Sequence, residues 1–277
     1  MDGGLTIRYL FLYSLKDPAG VNMANYLMSR LRFDEGHDFN GLYIRKCGEY
    51  GLAAVDQDII YTDYIDSKIP YNIDTIIFLS RHSSIKEYPT LSVHVTGNPL
   101  EDASYGGKPY SLAKSNPSLM KSILKWMSIL RDERGLKYDV RMEVTHHGPT
   151  EVKSKVVFVE VGSTIKQWND LEATNTVVDS VLNALKNIRG YKPAVGFGGP
   201  HYAPLFTKIM LEEEYAIGHI FSKYVLNHDI KPDIILKAFK LSDDSKTAIL
   251  DWKSIKGGVR QWLRSFLSEY GFEVIKR

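Results

Sequence analysis

The chain has 277 residues, of which 44% are hydrophobic and 25% are charged, and its formal net charge is +2. These values are typical of a globular protein with a large core, and so small a net charge does not by itself indicate a nucleic-acid partner. Cys47 is the only cysteine, which excludes a disulfide framework and a cysteine-rich zinc site, so any metal ion would need histidine and carboxylate ligands.

Apolar runs separated by Gly, Pro and Asp predict alternating strands and helices along the whole chain. Strands are predicted over residues 6–15, 42–47, 52–55, 59–65, 75–79, 138–145, 155–161, 194–199, 247–252 and 272–275, and helices over 21–31, 118–131, 164–188, 230–239 and 257–270. The polar stretch 98–115 is predicted to form a loop. The alternation predicts an α/β fold with a mainly parallel or mixed central sheet. No linker divides the chain, so we expect one domain over 1–277, with a smaller lobe if insertions form one.

Nothing in the sequence predicts a membrane partner. No apolar run approaches the roughly 18 residues that a membrane-spanning helix needs. The run Tyr9-Leu10-Phe11-Leu12-Tyr13 is too short for a signal peptide. We therefore expect a cytoplasmic protein.

Two adjacent histidines, His146 and His147, precede a Gly-Pro turn and the carboxylate of Glu151. Neighbouring side chains point to opposite faces of a strand and lie about 100° apart on a helix, so the pair can share a site only if the backbone bends. The Gly-Pro turn supplies a bend. We expect His146 to point into a site and His147 to be turned aside.

Residues that can carry chemistry follow several predicted strands. His82, His146, the pair Gly162-Ser163 and His201 each come within three residues after the end of a predicted strand. Open α/β sheets bind their ligands at this edge. The sequence therefore predicts one active site assembled from several loops.

Imidazole and carboxylate groups suit Zn²⁺, which takes three protein ligands and one water in catalytic sites. The alternative without a metal is that one or two histidines act as general base and acid. Serines are weaker candidates for a nucleophile, because no G-x-S-x-G motif is present, and hydrogen bonding is the expected role of Ser83 and Ser163. The candidate ligands or proton carriers are His82, His94, His146, His147, His201 and His219, and the candidate carboxylates are Glu143, Glu151 and Glu160.

Basic side chains recur along one face of the last predicted helix, at Lys256, Arg260 and Arg264, with Lys253 just before them. An ordinary solvated face is one interpretation, and contact with the phosphates of an RNA is the other. Tyr105 and Tyr202 could stack on an exposed base, or they could simply pack in loops.

A set of short motifs resembles the D-aminoacyl-tRNA deacylases of the archaeal and plant type. The motifs occur in this order: S-R-H-S-S at 80–84, H-V-T-G-N at 94–98, Y-G-G at 105–107, T-H-H-G-P-T-E at 145–151, E-V-G-S at 160–163, G-G-P-H-Y-A-P at 198–204, G-H-I at 218–220 and D-W-K at 251–253. The resemblance implies hydrolysis of the ester between a D-amino acid and the terminal ribose of tRNA. It also implies dependence on Zn²⁺, a monomer, and a three-layer α/β/α sandwich similar to the phosphorylase and peptidyl-tRNA hydrolase folds.

An ester hydrolase needs an activated water, donors for the oxyanion and an acid for the leaving group. His82, His146 and His201 are the expected catalytic or metal centre, and Glu151 is expected to orient an imidazole or bind the substrate's amino group. Substrate binding is expected from Ser83, Gly97, Asn98, Tyr105, Gly162, Ser163, Gly198, Gly199 and Tyr202, with backbone N–H groups near Gly162 or Gly198 as oxyanion donors, and tRNA binding from Lys253, Lys256, Arg260 and Arg264.

Two other functions fit the same residues. One is a zinc-dependent hydrolase of a small amide or peptide, which would act without tRNA. The other is a tRNA-binding module without catalysis, in which the histidines are structural and no metal is bound.

Overall fold

The computed structural model describes residues 6–277, and within them strands and helices alternate along the chain. The strands are β1 (Thr6–Ser14), β2 (His37–Phe39), β3 (Leu42–Cys47), β4 (Tyr50–Val55), β5 (Asn72–Ser83), β6 (Thr90–His94), β7 (Gly97–Asn98), β8 (Ser111–Leu112), β9 (Lys114–Ser115), β10 (Asp139–Met142), β11 (Lys155–Ser163), β12 (Lys192–Phe197), β13 (Tyr215–Phe221), β14 (Thr247–Leu250) and β15 (Glu273–Lys276). The helices are α1 (Pro18–Arg30), α2 (Pro117–Glu133), α3 (Ile165–Trp168), α4 (Leu171–Lys186), α5 (Pro204–Glu212), α6 (Pro232–Leu241) and α7 (Gly257–Glu269).

The larger sheet has nine strands, in the order β10-β6-β11-β5-β1-β4-β3-β2, with β9 beside β11. Its central strands β1, β5 and β11 are parallel, whereas β6 runs antiparallel to β11, so the sheet is mixed. The centre is apolar on both faces, as expected for strands covered on both sides. Phe78 of β5 and Phe158 of β11 are fully buried and stack with ring centroids 4.4 Å apart.

A second sheet, of four parallel strands in the order β13-β12-β14-β15, has its own hydrophobic cluster. Phe197 of β12, Phe239 of α6 and Leu263 of α7 belong to this cluster. Helix α2 packs against β6 and β10 of the larger sheet and against β12 and β13 of the smaller one. The α/β class with a mixed, mostly parallel sheet is confirmed, while the single domain over 1–277 stays a prediction.

The segment after β10 joins the two sheets. The backbone N–H of Val144 donates to the carbonyl of His201 at 3.0 Å, and that of Thr145 donates to the carbonyl of Ile220 at 3.0 Å. On the other side, the Gly97 N–H after β6 donates to the carbonyl of His147 at 2.8 Å. The histidine pair is therefore held where the edges of both sheets meet.

Several predicted elements are wrong in type or extent. The strand predicted over 59–65 is absent: a 3₁₀ turn spans Ile59–Tyr61 and a second begins at Ile65. Between them the Asp63 carboxylate accepts hydrogen bonds from the Thr150 and Glu151 N–H groups at 2.8 and 2.9 Å, which ties this turn to a neighbouring loop. The helix predicted over 164–188 is split into α3 and α4, since Asp170 caps a new helix start. Strands β2, β6, β13 and helix α5 were not predicted. The predicted loop over 98–115 is interrupted by the two-residue strands β8 and β9 and preceded by β7, which pairs with β8. None of the helices within residues 6–277 is long and apolar enough to cross a membrane.

Candidate active site

Four neighbouring strands of the larger sheet bring a set of histidines and glutamates together. His82 is the penultimate residue of β5, Glu160 lies in β11, His94 ends β6, and Glu143 directly follows β10. Because β5, β11, β6 and β10 are adjacent in the sheet, these side chains converge. The connections after β10 and β12 add His146, His147 and His201.

One part of the cluster, which we call the carboxylate group, consists of His82, Glu143 and Glu160. The Nδ1 atom of His82 lies 3.2 Å from a carboxylate oxygen of each glutamate. All three side chains are buried. Two buried carboxylates repel each other unless a cation lies between them, so this geometry favours a protonated His82.

The other part, which we call the imidazole triad, consists of His94, His146 and His147. The Nδ1 atoms of His146 and His147 lie 2.8 and 2.6 Å from the backbone carbonyls of Val144 and Gly148. A carbonyl can only accept a hydrogen bond, so each Nδ1 carries the proton and each Nε2 keeps its lone pair. The corresponding contact of His94 is longer, since its Nδ1 lies 3.3 Å from the carbonyl of Val95.

The three rings of the imidazole triad contact one another directly. The centroid of His94 lies 4.5 Å from that of His146 and 5.0 Å from that of His147, and the two neighbours are 4.3 Å apart. The prediction that His147 turns aside is therefore wrong. His147 adopts a left-handed backbone conformation with φ of +41°, and this bend allows adjacent imidazoles to meet.

The two parts differ in charge. Burial lowers the pKa of His146 well below its usual range and that of His147 to about 4, and neighbouring imidazoles add to the effect. Burial also opposes a charge on His82, but its hydrogen bond to Glu160 and the charge of Glu143 outweigh burial and raise the pKa of His82 to about 10. Burial opposes the glutamate charges as well, yet the imidazole contacts outweigh it and lower the pKa of both carboxyls.

The donor set fits a divalent metal ion. Nε2 of His94 is buried without a hydrogen-bond partner within residues 6–277, and it lies 3.6 Å from Glu160 Oε1. Oε1 of Glu143 likewise lacks a hydrogen bond, although it lies 3.2 Å from Nδ1 of His82. Such orphaned atoms are uncommon in folded proteins. Each of three groups has its potential ligand atoms within 4.8 Å of one another: His94-His146-His147, Glu143-His146-His201 and His82-Glu143-Glu160. Three imidazoles whose Nδ1 atoms face backbone carbonyls form a donor set of the kind that zinc prefers. His94 differs from the other two in charge, because Glu160 near its Nε2 outweighs burial and raises its pKa.

His201 and Tyr202 face the cluster from the start of α5. Nε2 of His201 lies 2.7 Å from Glu143 Oε2, and the Tyr202 hydroxyl lies 2.9 Å from Nε2 of His82. Ala203, which follows them, also has a positive φ, of +41°, immediately before α5. The turn therefore directs two consecutive side chains toward the buried glutamates and His82.

A cleft of about 650 Å³ opens above these residues, a size that holds one small ligand. His82, His146, His147, His201 and Glu160 line the cleft. Of the predicted substrate-binding residues, Ser83, Gly97, Asn98 and Tyr105 also line it. The sequence reasoning missed Asp17 and Arg81, which line the same cleft. Asp17 comes three residues after the end of β1, so the strand-end rule that selected His201 would have found it.

Other sequence-predicted residues are placed elsewhere or are already engaged. Glu151 is absent from the cluster and instead pairs with Lys108 at 3.0 Å and accepts from Ser111 at 2.9 Å. His219 lies in the middle of β13, fully buried, with its nitrogens 3.1 Å from the Thr145 hydroxyl and 3.0 Å from the Ala113 carbonyl. Both of its nitrogens are satisfied by protein groups.

The proposed oxyanion donors are also occupied. The N–H groups of Gly198 and Gly199 donate to Phe221 O at 2.8 Å and to Ser254 Oγ at 2.7 Å. Gly162 and Ser163 lie inside β11, where they pair with β5, and the Ser163 hydroxyl donates to the Tyr88 carbonyl at 2.8 Å. These four residues therefore serve the backbone framework around the site.

The basic side chains of α7 divide into two kinds. Lys253, Lys256 and Arg264 are exposed. Arg260 is partly buried against Trp252, with its guanidinium carbon 5.0 Å from the ring centroid and a hydrogen bond of 3.1 Å to the Trp252 carbonyl. Arg260 is thus committed to a local packing contact, and three exposed cations are left for a partner.

Comparisons with known proteins identify the family of the chain. The sequence model of the D-aminoacyl-tRNA deacylase family matches residues 69–275. The chain is 38% identical over 272 residues to the D-aminoacyl-tRNA deacylase of Archaeoglobus fulgidus, which covers 96% of this chain and 95% of the relative. It is 36% identical over 266 residues to the enzyme of that name from Pyrococcus furiosus, covering 94% and 96%. A crystal structure described as a conserved protein of unknown function is similar at a TM-score of 0.91 and 36% identity, covering 97% of this chain and 95% of that one. The chain therefore belongs to the D-aminoacyl-tRNA deacylase family.

Proposed function

We propose that the protein hydrolyses the ester bond between a D-amino acid and the terminal ribose of tRNA. Family membership supports this reaction. The observation that carries the proposal is the buried cluster of His and Glu side chains facing a cleft of about 650 Å³. The cleft is large enough for an aminoacyl group and its ribose but far too small for the body of a tRNA.

Zinc is the metal we propose, held by Nε2 of His94, His146 and His147. The two carbonyl contacts that fix the Nδ1 protons of His146 and His147 support this choice. When bound, zinc would supply Lewis acidity, polarising a carbonyl and lowering the pKa of water. Ligand nitrogens must be unprotonated to bind it, which the low pKa of His147, about 4, favours. Glu160 raises the pKa of His94, so zinc would have to displace a proton from that ligand.

His201 is the group we assign to proton transfer. Its Nε2–H donates to Glu143, so Nδ1 is left as the basic atom, and no side chain or carbonyl within residues 6–277 hydrogen-bonds to Nδ1. The side chain is 42% exposed and lines the cleft. Nδ1 would take a proton from water during attack on the ester and return it to the departing ribose oxygen.

His82 and Tyr202 are assigned to charge stabilisation. A protonated His82 donates through Nε2 to the Tyr202 hydroxyl, which keeps its own proton for a second bond. That O–H is a candidate donor to the oxyanion, replacing the glycine N–H groups that the fold already uses. Glu143 and Glu160 keep His82 charged.

The larger partner is a tRNA, and the exposed Lys253, Lys256 and Arg264 are the cations that we propose contact its phosphates. A cytoplasmic location follows from this substrate, because charged tRNA is consumed there. We further propose a monomer, which light scattering of the purified protein tests directly by giving a mass near 31.5 kDa.

Deacylation of D- and L-tyrosyl-tRNA by the purified protein, with and without a chelator, tests the proposal. We expect release of D-tyrosine in large excess over L-tyrosine, loss of activity with chelator, recovery on adding zinc, and zinc in elemental analysis. Cleavage of small amides without tRNA and without salt sensitivity would favour the amide hydrolase instead. Tight tRNA binding with no turnover and no metal would favour the non-catalytic module.

A further inference from the structure

Two tyrosine rings stand at the mouth of the cleft. Tyr61 is 51% exposed and Tyr105 is 68% exposed, and both line the same cleft as His146 and His201. The catalytic groups lie deeper, since Glu160 is only 3% exposed. The site therefore has a polar, charged base and an aromatic rim.

Close contact at Gly106 fixes the loop of Tyr105 against the turn of Tyr61. A Cβ atom on Gly106 would lie 3.3 Å from the Tyr61 ring and 2.0 Å from the carbonyl oxygen of Ile60. Gly106 has φ of +81°, so only glycine fits both the conformation and the contact. The loop that carries Tyr105 is thus packed directly on the turn that carries Tyr61.

Further hydrogen bonds fix this rim to the catalytic loop. The Tyr61 hydroxyl donates to the Ser104 carbonyl at 3.3 Å, and the Gly148 N–H, next to His147, donates to the Tyr105 carbonyl at 3.0 Å. The Tyr105 hydroxyl makes no hydrogen bond to any residue in the described part of the chain. An exposed aromatic ring whose backbone is held by hydrogen bonds and whose hydroxyl is unbonded is suited to binding another molecule.

We propose that Tyr61 and Tyr105 form a stacking platform for the terminal base of the tRNA, an inference that rests on the proposed function. The ester must reach the deep histidines, and the body of the tRNA cannot enter the cleft. The nucleoside next to the ester must therefore pass the rim, where the two tyrosines lie. The amino-acid side chain, on the other side of the ester, points into the cleft.

Aromatic stacking suits this task because every base presents a flat π face, so recognition does not depend on which tRNA carries the D-amino acid. The base is uncharged, so ion pairing cannot hold it, and Arg81 is in any case the one cationic side chain among the described lining residues apart from the histidines. The platform would supply affinity at the end that all substrates share, while the interior of the cleft remains free for different side chains.

The test compares two substrates of the wild-type protein and its variants: D-tyrosyl-adenosine and D-tyrosine ethyl ester, which lacks the nucleoside. Tyr105→Ala and Tyr61→Ala should each lower kcat/KM for the adenosine ester by about 5- to 150-fold, the range for losing one stacked base. The loss should appear mainly as a higher KM, because stacking is equally strong before and during the reaction. Tyr105→Phe should stay within about twofold of wild type, since it keeps the ring.

Tyr88→Ala is the matched control, because Tyr88 is also exposed, at 56%, but lines a different cleft. D-aspartyl-adenosine separates base from side-chain recognition: an equal loss for D-aspartyl and D-tyrosyl esters supports the platform, and a loss confined to the tyrosyl ester overturns it. Adenosine-ester kinetics within twofold of wild type for both alanine variants would also overturn it. If the wild-type protein failed to deacylate D-tyrosyl-tRNA at all, the proposed function itself would fall.

Discussion

The imidazole triad and the carboxylate group lie in contact within one buried cluster, yet their environments make them chemically opposite. In the triad, backbone carbonyls hold Nδ1 protons and burial keeps His146 and His147 neutral. In the carboxylate group, two glutamates on Nδ1 of His82 overcome the same burial and keep that imidazole charged. His146 and His147 can therefore donate lone pairs to a metal ion, whereas His82 supplies a positive charge.

For His82, His146 and His147, the partner of Nδ1 determines the charge of the ring: a carbonyl partner leaves a neutral ring with a free Nε2, and a carboxylate partner favours a cation. His94 departs from this rule, because Glu160 near its Nε2 raises its pKa although its Nδ1 faces a carbonyl. His201 lies between these cases, since its Nε2 meets Glu143 while the side chain stays 42% exposed. Mutations that remove one part of the cluster and spare the other will show whether the two roles are separate.

Replacing a member of the imidazole triad should have the largest effect. His147→Ala removes one of three proposed zinc ligands, and we expect bound zinc to be lost and deacylation of D-tyrosyl-tRNA to fall at least about 10³-fold, within the range spanned by catalytic groups. Elemental analysis and a deacylation time course measure the two outcomes. His228→Ala, at an exposed histidine outside the cleft, is the control. A His147→Ala protein that keeps both zinc and activity would remove the triad from the mechanism.

His201→Ala should lower kcat by about 10²- to 10⁴-fold, the usual contribution of a general acid or base. Zinc content should stay at the wild-type level, because the proposed ligands are intact. His37→Ala, in the exposed strand β2, serves as the matched control. If zinc disappears together with activity, the ion is bound by Glu143, His146 and His201, and the division between triad and proton carrier has to be redrawn.

Most of the fold class followed from periodicity, but the exact strand limits mattered for the site. The apolar run over 75–79 correctly predicted a buried strand. The strand continues through Arg81 to Ser83, so His82 projects from the sheet itself and not from a loop. Polar residues at the end of a strand look like a turn in sequence, and only pairing with β11 shows that they extend it.

The site could be predicted in part, for a related physical reason. Histidines that follow strand ends were found because parallel strands share an edge. His219 lies outside the cluster, because its segment looks turn-like in sequence but is a buried strand in which Gly218 approaches Ser242 and Ser115. Glu151 also lies outside it, because the turn after His147 carries it toward Lys108. Such directions depend on tertiary contacts that no local pattern contains.

Breaking the carboxylate group should cost less than breaking the triad. Glu160→Gln keeps the size of the side chain but removes one of the two charges that stabilise His82, and we expect a loss of about 10- to 100-fold in kcat, as for other supporting residues of metal sites. Zinc should be retained. Glu151→Gln is the informative comparison, because this carboxylate was a sequence candidate but lies outside the cluster, and its activity should stay within about twofold of wild type. Equal losses for the two variants would mean that the carboxylate group has no special role.

The smallest effect should come from the surface, far from both parts of the cluster. Lys256→Ala combined with Arg264→Ala removes two exposed cations of α7, and we expect a several-fold higher KM for D-tyrosyl-tRNA with an unchanged kcat. Each lost phosphate contact should also reduce the slope of log KM against log salt concentration by roughly 0.7 to 0.9. Lys137→Ala is the charge control, because Lys137 is also exposed but lies just before β10 of the larger sheet. Because D-tyrosyl-adenosine lacks the phosphates, its hydrolysis should not respond to the double substitution, and a matching loss on that small substrate would show that α7 acts on the cluster and not on the tRNA.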